Sequence, residues 1–349
     1  MKKNRLMVLV VVILVIWNVI LTSIIVTNKK EENSNQTNVN EVTVTGFSTD
    51  LTKVIEQSKS SVVVVETNNA LSSGIIYGTN ENSIYVVTTC HGVADASIIN
   101  VVFASGASYE ATLVGQDVYA DIAVLEVKTN VVVNPIKLGN SDLLNDGEFL
   151  VAIGTPKNSQ YSFSNDLAIV SSKLRTISNS ITYDDKQYEY YEDVIQLSSN
   201  VAEGYSGAPV LNMEGEVQGL IIMKDDVAVF ALPINEVRIV ADNIINEVAY
   251  AKTRFGFKGQ IVSGLETYEK NQLNIPLDIN YGLYISLIRV NSIAANAGLR
   301  VGDVVLSING NSINSYTDLL KIAYSENKEF SFEVVRNNDT ITLLGNTND

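Results

Sequence analysis

The sequence predicts a mainly β protein with two folded domains behind an apolar N-terminal helix. Residues 6–26 form an uncharged, mostly apolar run, which is typical of a membrane span. Residues 48–252 contain many short β-rich runs separated by turn residues, and residues 253–349 mix strand and helix patterns. With 349 residues, the chain is long enough to form two hydrophobic cores.

The N-terminal run from Leu6 to Val26 has no charged residue, and as a helix it would extend about 31 Å, enough to cross a bilayer core. The basic start MKKNR favours a cytoplasmic N-terminus. A cleaved signal peptide is the alternative, but its apolar segment is usually shorter, and no A-x-A-like site follows here. We expect an uncleaved single-pass anchor in residues 1–30, with the remaining chain outside the cytoplasm.

The polar segment 31–47 is rich in Asn, Glu and Thr and is expected to be a flexible tether. After it come strand-like runs such as SVVVVET, SIYVVTT and EFLVAIG, whose turn-rich spacing indicates an all-β sandwich or barrel. The acidic, tyrosine-rich segment 172–193 is expected to be a surface loop or hairpin. A helix starting at Pro233 would close this domain, which we place at residues 48–252.

The C-terminal segment, residues 253–349, is expected to form a small mixed α/β module. Strand patterns are found at 283–290, 302–308, 329–336 and 340–344. Between them lies SYTDLLKIAYSEN, where Ser315 followed three residues later by Asp318 predicts a capped helix start.

Composition excludes several classes of function. The formal net charge of −15 argues against nucleic acid as a partner, because phosphate binding requires a basic surface. The single cysteine cannot form an internal disulfide, and one cysteine with one histidine gives no zinc-site pattern. We therefore expect neither a metal nor a cofactor.

The only histidine, His91, lies in TTCHGVADA at the end of an apolar run and is the candidate general base. The candidate nucleophile is Ser206, which lies in EGYSGAPVLN between Gly204 and Gly207. A serine on a tight glycine turn can be exposed for attack on a carbonyl. The backbone N–H groups of Gly204 and Ser206 would then stabilise the developing oxyanion.

The carboxylate that would orient His91 is predicted to be Asp121, at the head of the apolar run DIAVLEV. A carboxylate in this role holds the imidazole in one tautomer. Asp117 is the alternative, but it lies in the preceding turn, whereas a strand would anchor Asp121. The chain order His, Asp, Ser in a β-rich domain is that of the chymotrypsin fold.

These motifs, together with NPIKLGNSDLLNDGEFLVAIGTP and FALPINEV, resemble the HtrA (Deg) family of serine proteases. The resemblance implies a chymotrypsin-like double β-barrel protease domain followed by a small α/β PDZ domain. It implies a serine endopeptidase in which His91, Asp121 and Ser206 form the catalytic triad. It further places Asn200, six residues before Ser206, at the base of the specificity pocket.

The second domain resembles PDZ domains through AGLRVGDVVLSING, and GFKG occupies the position of their carboxylate-binding loop. The resemblance implies that Gly256, Phe257, Lys258 and Gly259 bind peptide C-termini by strand addition. Misfolded or signalling proteins are the implied substrates, as in protein quality control and stress response, and a homotrimer is the implied assembly.

Two alternatives remain open at the level of sequence. One is a catalytically weak scaffold that combines a protease-like domain with a PDZ domain, because Tyr205 and Ala208 depart from the family's serine motif. The other is a signalling protease dedicated to one membrane partner, which the anchor and the single PDZ domain would suit.

Overall fold

The computed structural model describes residues 16–19, 22, 46–68, 70–94, 96–156, 159–183, 186–224, 228–248 and 252–347. Two compact units are separated after Thr49, and the second contains both folded domains. Within the described ranges, no helix is both long enough and apolar enough to cross a membrane. Most of the predicted anchor and of the predicted tether lies outside those ranges, so both stay predictions.

The first sheet is built from seven antiparallel strands in the order β5-β4-β1-β2-β3-β7-β6. These strands are β1 (Val62–Thr67), β2 (Leu71–Thr79), β3 (Ser83–Thr89), β4 (Ile99–Phe103), β5 (Ser108–Glu110), β6 (Thr112–Asp117) and β7 (Ile122–Lys128). Helix α1 (Gly46–Ser58) precedes the sheet, and the one-turn helix α2 (Cys90–Val93) joins β3 to β4. Alternate positions such as Val63 and Val65 point into one core, as the strand period of two requires.

The second sheet closes into a six-stranded barrel in the order β10-β13-β12-β11-β8-β9. Its strands are β8 (Phe149–Gly154), β9 (Ser164–Tyr183), β10 (Lys186–Ser198), β11 (Pro209–Leu211), β12 (Val217–Lys224) and β13 (Val229–Pro233). The predicted loop or hairpin at 172–193 belongs to the long hairpin formed by β9 and β10. Around the barrel each strand pairs with a neighbour on both sides, whereas the outer parts of β9 and β10 pair only with each other.

Helix α3 (Ile234–Ile245) follows β13 directly and begins immediately after Pro233. Its buried residues Val237, Val240 and Ala241 pack into a core shared by both sheets. The apolar side chains recur at three- and four-residue steps, so one face of the helix is buried.

The C-terminal domain contains a sheet in the order β14-β15-β16-β18-β19, with β17 paired to β16. Its elements are β14 (Phe257–Ile261), α4 (Thr267–Gln272), β15 (Leu283–Ile288), α5 (Ile293–Asn296), β16 (Val304–Ile308), β17 (Asn311–Ser312), α6 (Tyr316–Ala323), β18 (Glu329–Arg336) and β19 (Asp339–Asn346). The predicted cap of α6 is present, because the Ser315 hydroxyl accepts the Asp318 amide and the Asp318 carboxylate accepts the Ser315 amide.

The two domains are joined by contacts between α3 and α6. The side-chain amide of Asn235 donates to Asn140 Oδ1 and to Thr317 Oγ1, at 2.7 Å each. The buried carboxylate of Glu236 accepts from Lys252 Nζ at 2.5 Å and from the Tyr324 hydroxyl at 2.9 Å. The hydrogen bonds from Asn235 to Thr317 and from Tyr324 to Glu236 cross this interface and favour one orientation of the C-terminal domain.

Candidate active site

The pairing of β3 with β7 brings His91 and Asp121 together. Thr89, the last residue of β3, lies opposite Ile122, the first residue of β7. The residues beyond these strand ends are therefore neighbours, and the Cys90 amide donates to the Asp121 carbonyl at 3.0 Å. Strand β3 ends at Thr89, and His91 lies in the one-turn helix α2 that follows it.

Both oxygens of the Asp121 carboxylate bind His91. Oδ1 accepts the His91 backbone amide at 2.9 Å, and Oδ2 lies 2.6 Å from Nδ1 of the ring. Asp121 is only 3% exposed, and its φ of 53° is in the left-handed region. Such backbone strain, of order 1–3 kcal/mol, persists only where surrounding contacts impose it. The carboxylate is consequently held in one orientation.

The other ring nitrogen of His91 faces the candidate nucleophile. Nε2 lies 3.0 Å from Ser206 Oγ, and the His91 side chain is 40% exposed. The structure thus places Asp121, His91 and Ser206 in one hydrogen-bonded line that opens to solvent at the serine. This is the geometry that an imidazole needs to take a proton from a hydroxyl.

The environment of His91 favours its charged form. Burial alone would lower the pKa of His91, but the hydrogen bond from Nδ1 to Asp121 and the carboxylate charge together raise it above its ordinary value of 6.5. A carboxylate next to an imidazole stabilises the cation that forms when the ring accepts a proton. The site is therefore suited to holding a transferred proton on His91.

Asp117, the alternative partner, serves the turn between β6 and β7. Its Oδ1 accepts the backbone amides of Tyr119 at 2.8 Å and Ala120 at 3.0 Å. The Asp117 carboxylate therefore stabilises this turn and is not part of the hydrogen-bonded line. Asp121 is the carboxylate that contacts His91.

The loop that presents Ser206 depends on two glycines. Gly204 has φ 98° and Gly207 has φ 81°, which are conformations that a Cβ disfavours. A Cβ on Gly207 would also lie 2.1 Å from the carbonyl oxygen of Ser73. In the part of the chain that the structure describes, the amides of Gly204 and Ser206 are paired with no acceptor, and both residues line the cleft. Two donors are therefore available beside the nucleophile.

The cleft beside Ser206 has a volume of about 550 Å³. Its apolar wall is formed by Val201, Ala202, Ile221 and Met223. Asn200, which the family resemblance places at the base of a specificity pocket, is exposed, and that assignment stays a prediction. Sequence reasoning missed the two β12 residues, because only the fold of the barrel brings that strand to the serine loop.

Tyr205, one of the departures from the family motif, anchors the serine loop in the second barrel. It is 4% exposed, belongs to that barrel's core, and packs so closely on Gly154 that a Cβ there would lie 2.5 Å from its ring. Burial first, and then the charge of Asp166, raise its pKa to about 12, against a lowering hydrogen bond with Ser164. Ala208, the other departure, is fully buried in the same core.

Of the four residues of the predicted carboxylate-binding loop, Gly256 precedes β14 and the other three lie in it. β14 is the edge strand of the C-terminal sheet. Gly256 has φ 80°, and its carbonyl accepts the Arg289 amide at 2.8 Å. Phe257, Lys258 and Gly259 are half-buried within the strand. An edge strand has unpaired backbone groups that can bind an added strand.

Tyr316, which sequence reasoning did not single out, lies against that edge. Its hydroxyl donates to the Gly259 carbonyl at 2.9 Å. Burial and the charge of Asp193 raise its pKa, whereas a backbone hydrogen bond with Ile261 lowers it. The Tyr316 hydroxyl thus binds backbone groups of Gly259 and Ile261, which are two residues apart on β14 and face the same way. An added peptide strand would use the same backbone groups.

Among the described residues, no group of three or more His, Cys, Asp or Glu side chains is arranged to hold a metal ion. Cys90, beside the catalytic candidate, is fully buried, and its Sγ contacts Gln116 Oε1 at 3.4 Å. The expectation that the chain uses no cofactor stays a prediction.

Comparison with known families agrees with this geometry. Residues 72–220 match the trypsin-like peptidase domain, and residues 284–336 match the PDZ domain. Serine protease Do-like HtrB of Bacillus subtilis (strain 168) is 31% identical over 281 residues, which cover 78% of this chain and 60% of the relative. The chain is similar to HtrA-type serine proteases. The resemblance seen in the sequence is thereby confirmed.

Other HtrA relatives are similarly distant. Serine protease HtrA-like of Staphylococcus haemolyticus (strain JCSC1435) is 29% identical over 273 residues, covering 76% of this chain and 42% of the relative. Serine protease Do-like HtrA of Lactobacillus helveticus is 29% identical over 262 residues, covering 72% of this chain and 62% of the relative. The chain spans roughly half the length of the curated HtrA relatives it matches.

Solved structures of HtrA-type proteins share the fold. The HtrA-type protease AlgW with tripeptide has a TM-score of 0.56 at 23% identity, with 84% of this chain and 95% of that chain covered. The serine endoprotease from Yersinia pestis has a TM-score of 0.51 at 21% identity, with coverage of 84% and 96%. The predicted mainly β, chymotrypsin-like domain followed by a PDZ domain is confirmed.

Proposed function

We propose that this chain is a serine endopeptidase whose nucleophile is Ser206. The observation that supports the proposal most directly is the distance of 3.0 Å between Ser206 Oγ and His91 Nε2, with Asp121 at 2.6 Å from the opposite ring nitrogen. A nucleophile within hydrogen-bond reach of a base, which a third group orients, is the arrangement that activates a hydroxyl.

In the proposed acylation step, Ser206 Oγ attacks the carbonyl carbon of the scissile peptide bond while His91 Nε2 takes its proton. The negative charge that develops on the carbonyl oxygen is stabilised by the amides of Gly204 and Ser206. The C–N bond then breaks, and His91 returns the proton to the leaving amine. Asp121 remains ionised and stabilises the His91 cation throughout.

In the proposed deacylation step, a water molecule attacks the ester carbon and gives a proton to His91. The bond to Ser206 Oγ breaks as His91 protonates that oxygen, and the carboxylic acid product leaves. Every proton in the cycle passes through Nε2 of His91, so no metal or organic cofactor is required by this mechanism.

The proposed substrates are misfolded or signalling proteins, which enter the cleft as extended segments. We assign the protease domain to residues 48–252 and the PDZ domain to residues 253–349. Peptide C-termini are proposed to add to β14, with residues 256–259 around the carboxylate. The position of β14 at the edge of its sheet supports this assignment.

The proposed location is a cell membrane, with a cytoplasmic N-terminus and both domains outside the cytoplasm. The uncharged run from Leu6 to Val26 and the basic residues before it support this topology. We propose a homotrimer on the basis of the family resemblance alone.

Labelling of the full chain in mild detergent by a fluorophosphonate probe tests the proposed activity. We expect labelling that is lost in Ser206→Ala. A folded wild-type protein that stays unlabelled, with and without PDZ-binding peptides, would contradict the proposal and favour a binding scaffold. Incubation with unfolded casein then separates two kinds of protease. Degradation of casein indicates a quality-control protease. A protein that is labelled by the probe but leaves casein intact indicates a protease dedicated to one partner.

A further inference from the structure

Ser73, in the middle of β2, is fully buried and contacts the serine loop from the opposite sheet. Its backbone amide donates to the Ser206 carbonyl at 2.8 Å, and its hydroxyl donates to the Gly204 carbonyl at 3.0 Å. One residue of the first sheet therefore binds the serine loop on both sides of Tyr205.

Ser73 is itself held firmly by two further hydrogen bonds. Its hydroxyl accepts the backbone amide of Thr155, which follows β8, at 2.9 Å. Its carbonyl accepts the buried hydroxyl of Thr88, on the neighbouring strand β3, at 2.7 Å. The side chain thus connects the first sheet, the second barrel and the serine loop at one point, and it has both a donor and an acceptor role.

These bonds hold the peptide units that adjoin the two amides beside the candidate nucleophile. A peptide unit is planar, so fixing a carbonyl fixes the N–H on the other side of the same unit. The Tyr205 carbonyl accepts the Ala208 amide at 2.8 Å, which sets the direction of the Ser206 N–H. The Tyr205 carbonyl and the Ser206 N–H belong to one peptide unit. The units before and after it carry the carbonyls of Gly204 and Ser206, and Ser73 binds both of these carbonyls.

The Gly204 amide depends on Ser73 as well. The peptide unit that follows Gly204 is bound through its carbonyl to the Ser73 hydroxyl. The Gly204 N–H is related to that unit by the φ and ψ torsions of Gly204, and its φ of 98° is one that glycine readily adopts. Because glycine has this freedom, an external bond is needed to keep the N–H in one direction.

We propose that Ser73 is the positioning residue of the oxyanion hole, holding the amides of Gly204 and Ser206 toward the carbonyl oxygen of the substrate. It touches neither the substrate nor the proton that is transferred. The inference rests on the proposed endopeptidase activity and extends it to a residue outside the triad.

The test compares inactivation of wild type and Ser73→Ala by a peptidyl fluorophosphonate, separated into the binding constant KI and the rate constant kinact. We expect kinact to fall about tenfold or more, since a donor displaced from the oxyanion loses part of a 10²–10³-fold contribution. KI should change less than about twofold, because ground-state contacts with the apolar wall are kept. Ser73→Thr, which keeps the hydroxyl, should recover most of kinact.

Two further variants control for general damage to the fold. Ser61→Ala removes another buried hydroxyl, which donates to the Asn134 carbonyl at 2.8 Å, and should leave kinact unchanged. If Ser73→Ala fails to fold, Thr88→Val removes the bond to the Ser73 carbonyl with little change of volume, and a smaller loss of kinact is expected.

The outcomes separate the two proposals. A wild-type chain that is never labelled contradicts the endopeptidase activity, and the role of Ser73 falls with it. If the wild type is labelled and Ser73→Ala has the same kinact, only the role of Ser73 is contradicted. Where Ser73→Ala does not fold, an unchanged kinact of Thr88→Val has the same meaning. Equal losses in KI and kinact, or an equal loss in Ser61→Ala, would also overturn the positioning role.

Discussion

Asp121 uses both of its carboxylate oxygens on a single residue, His91: one accepts the backbone amide at 2.9 Å and the other faces Nδ1 at 2.6 Å. Position and ring orientation of the histidine are therefore set by one buried side chain. Either contact alone would leave the ring or the backbone free to shift.

Replacing Asp121 by Asn should lower fluorophosphonate labelling about 10⁴-fold with little change in fold. If the asparagine oxygen keeps the His91 amide, its NH₂ group faces Nδ1 and forces the proton onto Nε2, which can then no longer accept from Ser206. Asp117→Asn is the matched control and should label almost normally, because that carboxylate binds only Tyr119 and Ala120 amides. A large loss in the control would contradict the assignment of Asp121.

The rate of labelling should rise with pH as His91 loses its proton, since only the neutral ring can act as base. Because Asp121 raises the pKa of His91, the half-maximal rate is expected above pH 6.5. Weakening that interaction removes the upward shift, so any residual rate of Asp121→Asn should have its midpoint at lower pH. A wild-type midpoint below 6.5 in a series of buffers at constant ionic strength would contradict the shift.

Gly204→Ala should lower labelling by about 10²-fold, because a Cβ is strained at φ 98° and the amide would turn away from the substrate. Gly215→Ala introduces similar strain at φ 74°, and its Cβ would meet only Ser58 Oγ at 3.6 Å. Both variants should lose about 1 kcal/mol of stability, measured by denaturant unfolding. Only Gly204→Ala should lose activity, and equal activities would exclude a special role for this amide.

Tyr316→Phe should strengthen binding of a fluorescent peptide with an apolar C-terminus about fivefold. In the wild type, peptide binding would first have to break the hydrogen bond from Tyr316 to the Gly259 carbonyl. The variant has no such bond, and one neutral hydrogen bond contributes about 1 kcal/mol. Tyr268→Phe, at a side chain that is 63% exposed, is the control. Unchanged affinity by fluorescence anisotropy would mean that the peptide does not compete with Tyr316.

Glu236→Gln should lower the free energy of unfolding by about 3 kcal/mol, since Lys252 would be left at the domain interface without its carboxylate. The exposed pair of Lys137 and Glu216 provides the comparison, and Glu216→Gln should lose less than about 1 kcal/mol. Similar losses in the two variants would show that the Glu236 pair does not stabilise the contact between the domains.

Much of the fold follows from local patterns in the sequence. The run from Ser83 to Thr89 is rich in β-branched residues, and it forms β3 with those bounds. Ser315 and Asp318 cap α6 as their three-residue spacing predicts. In both cases the deciding interactions lie within one turn or one strand, so the sequence contains the whole signal.

What the sequence could not predict depends on contacts between distant segments. Ser73 lies 131 residues from the Gly204 carbonyl that it binds, and nothing in its neighbourhood distinguishes it from a buried strand serine. The apolar wall formed by Ile221 and Met223 and the contact of Tyr316 with Gly259 arise in the same way. Asn200 is placed at a specificity pocket by the family resemblance alone, and its exposure does not decide that role.

The single histidine of the chain has a practical consequence. All imidazole resonances in a proton NMR spectrum of this protein belong to His91, so no assignment experiment is needed to follow its titration. The same ring contacts the candidate nucleophile, and its spectrum would report inhibitor binding, peptide binding at the distant domain and changes of assembly directly. Spectroscopists ordinarily introduce such a probe by mutagenesis, whereas this chain already contains one at its candidate active site.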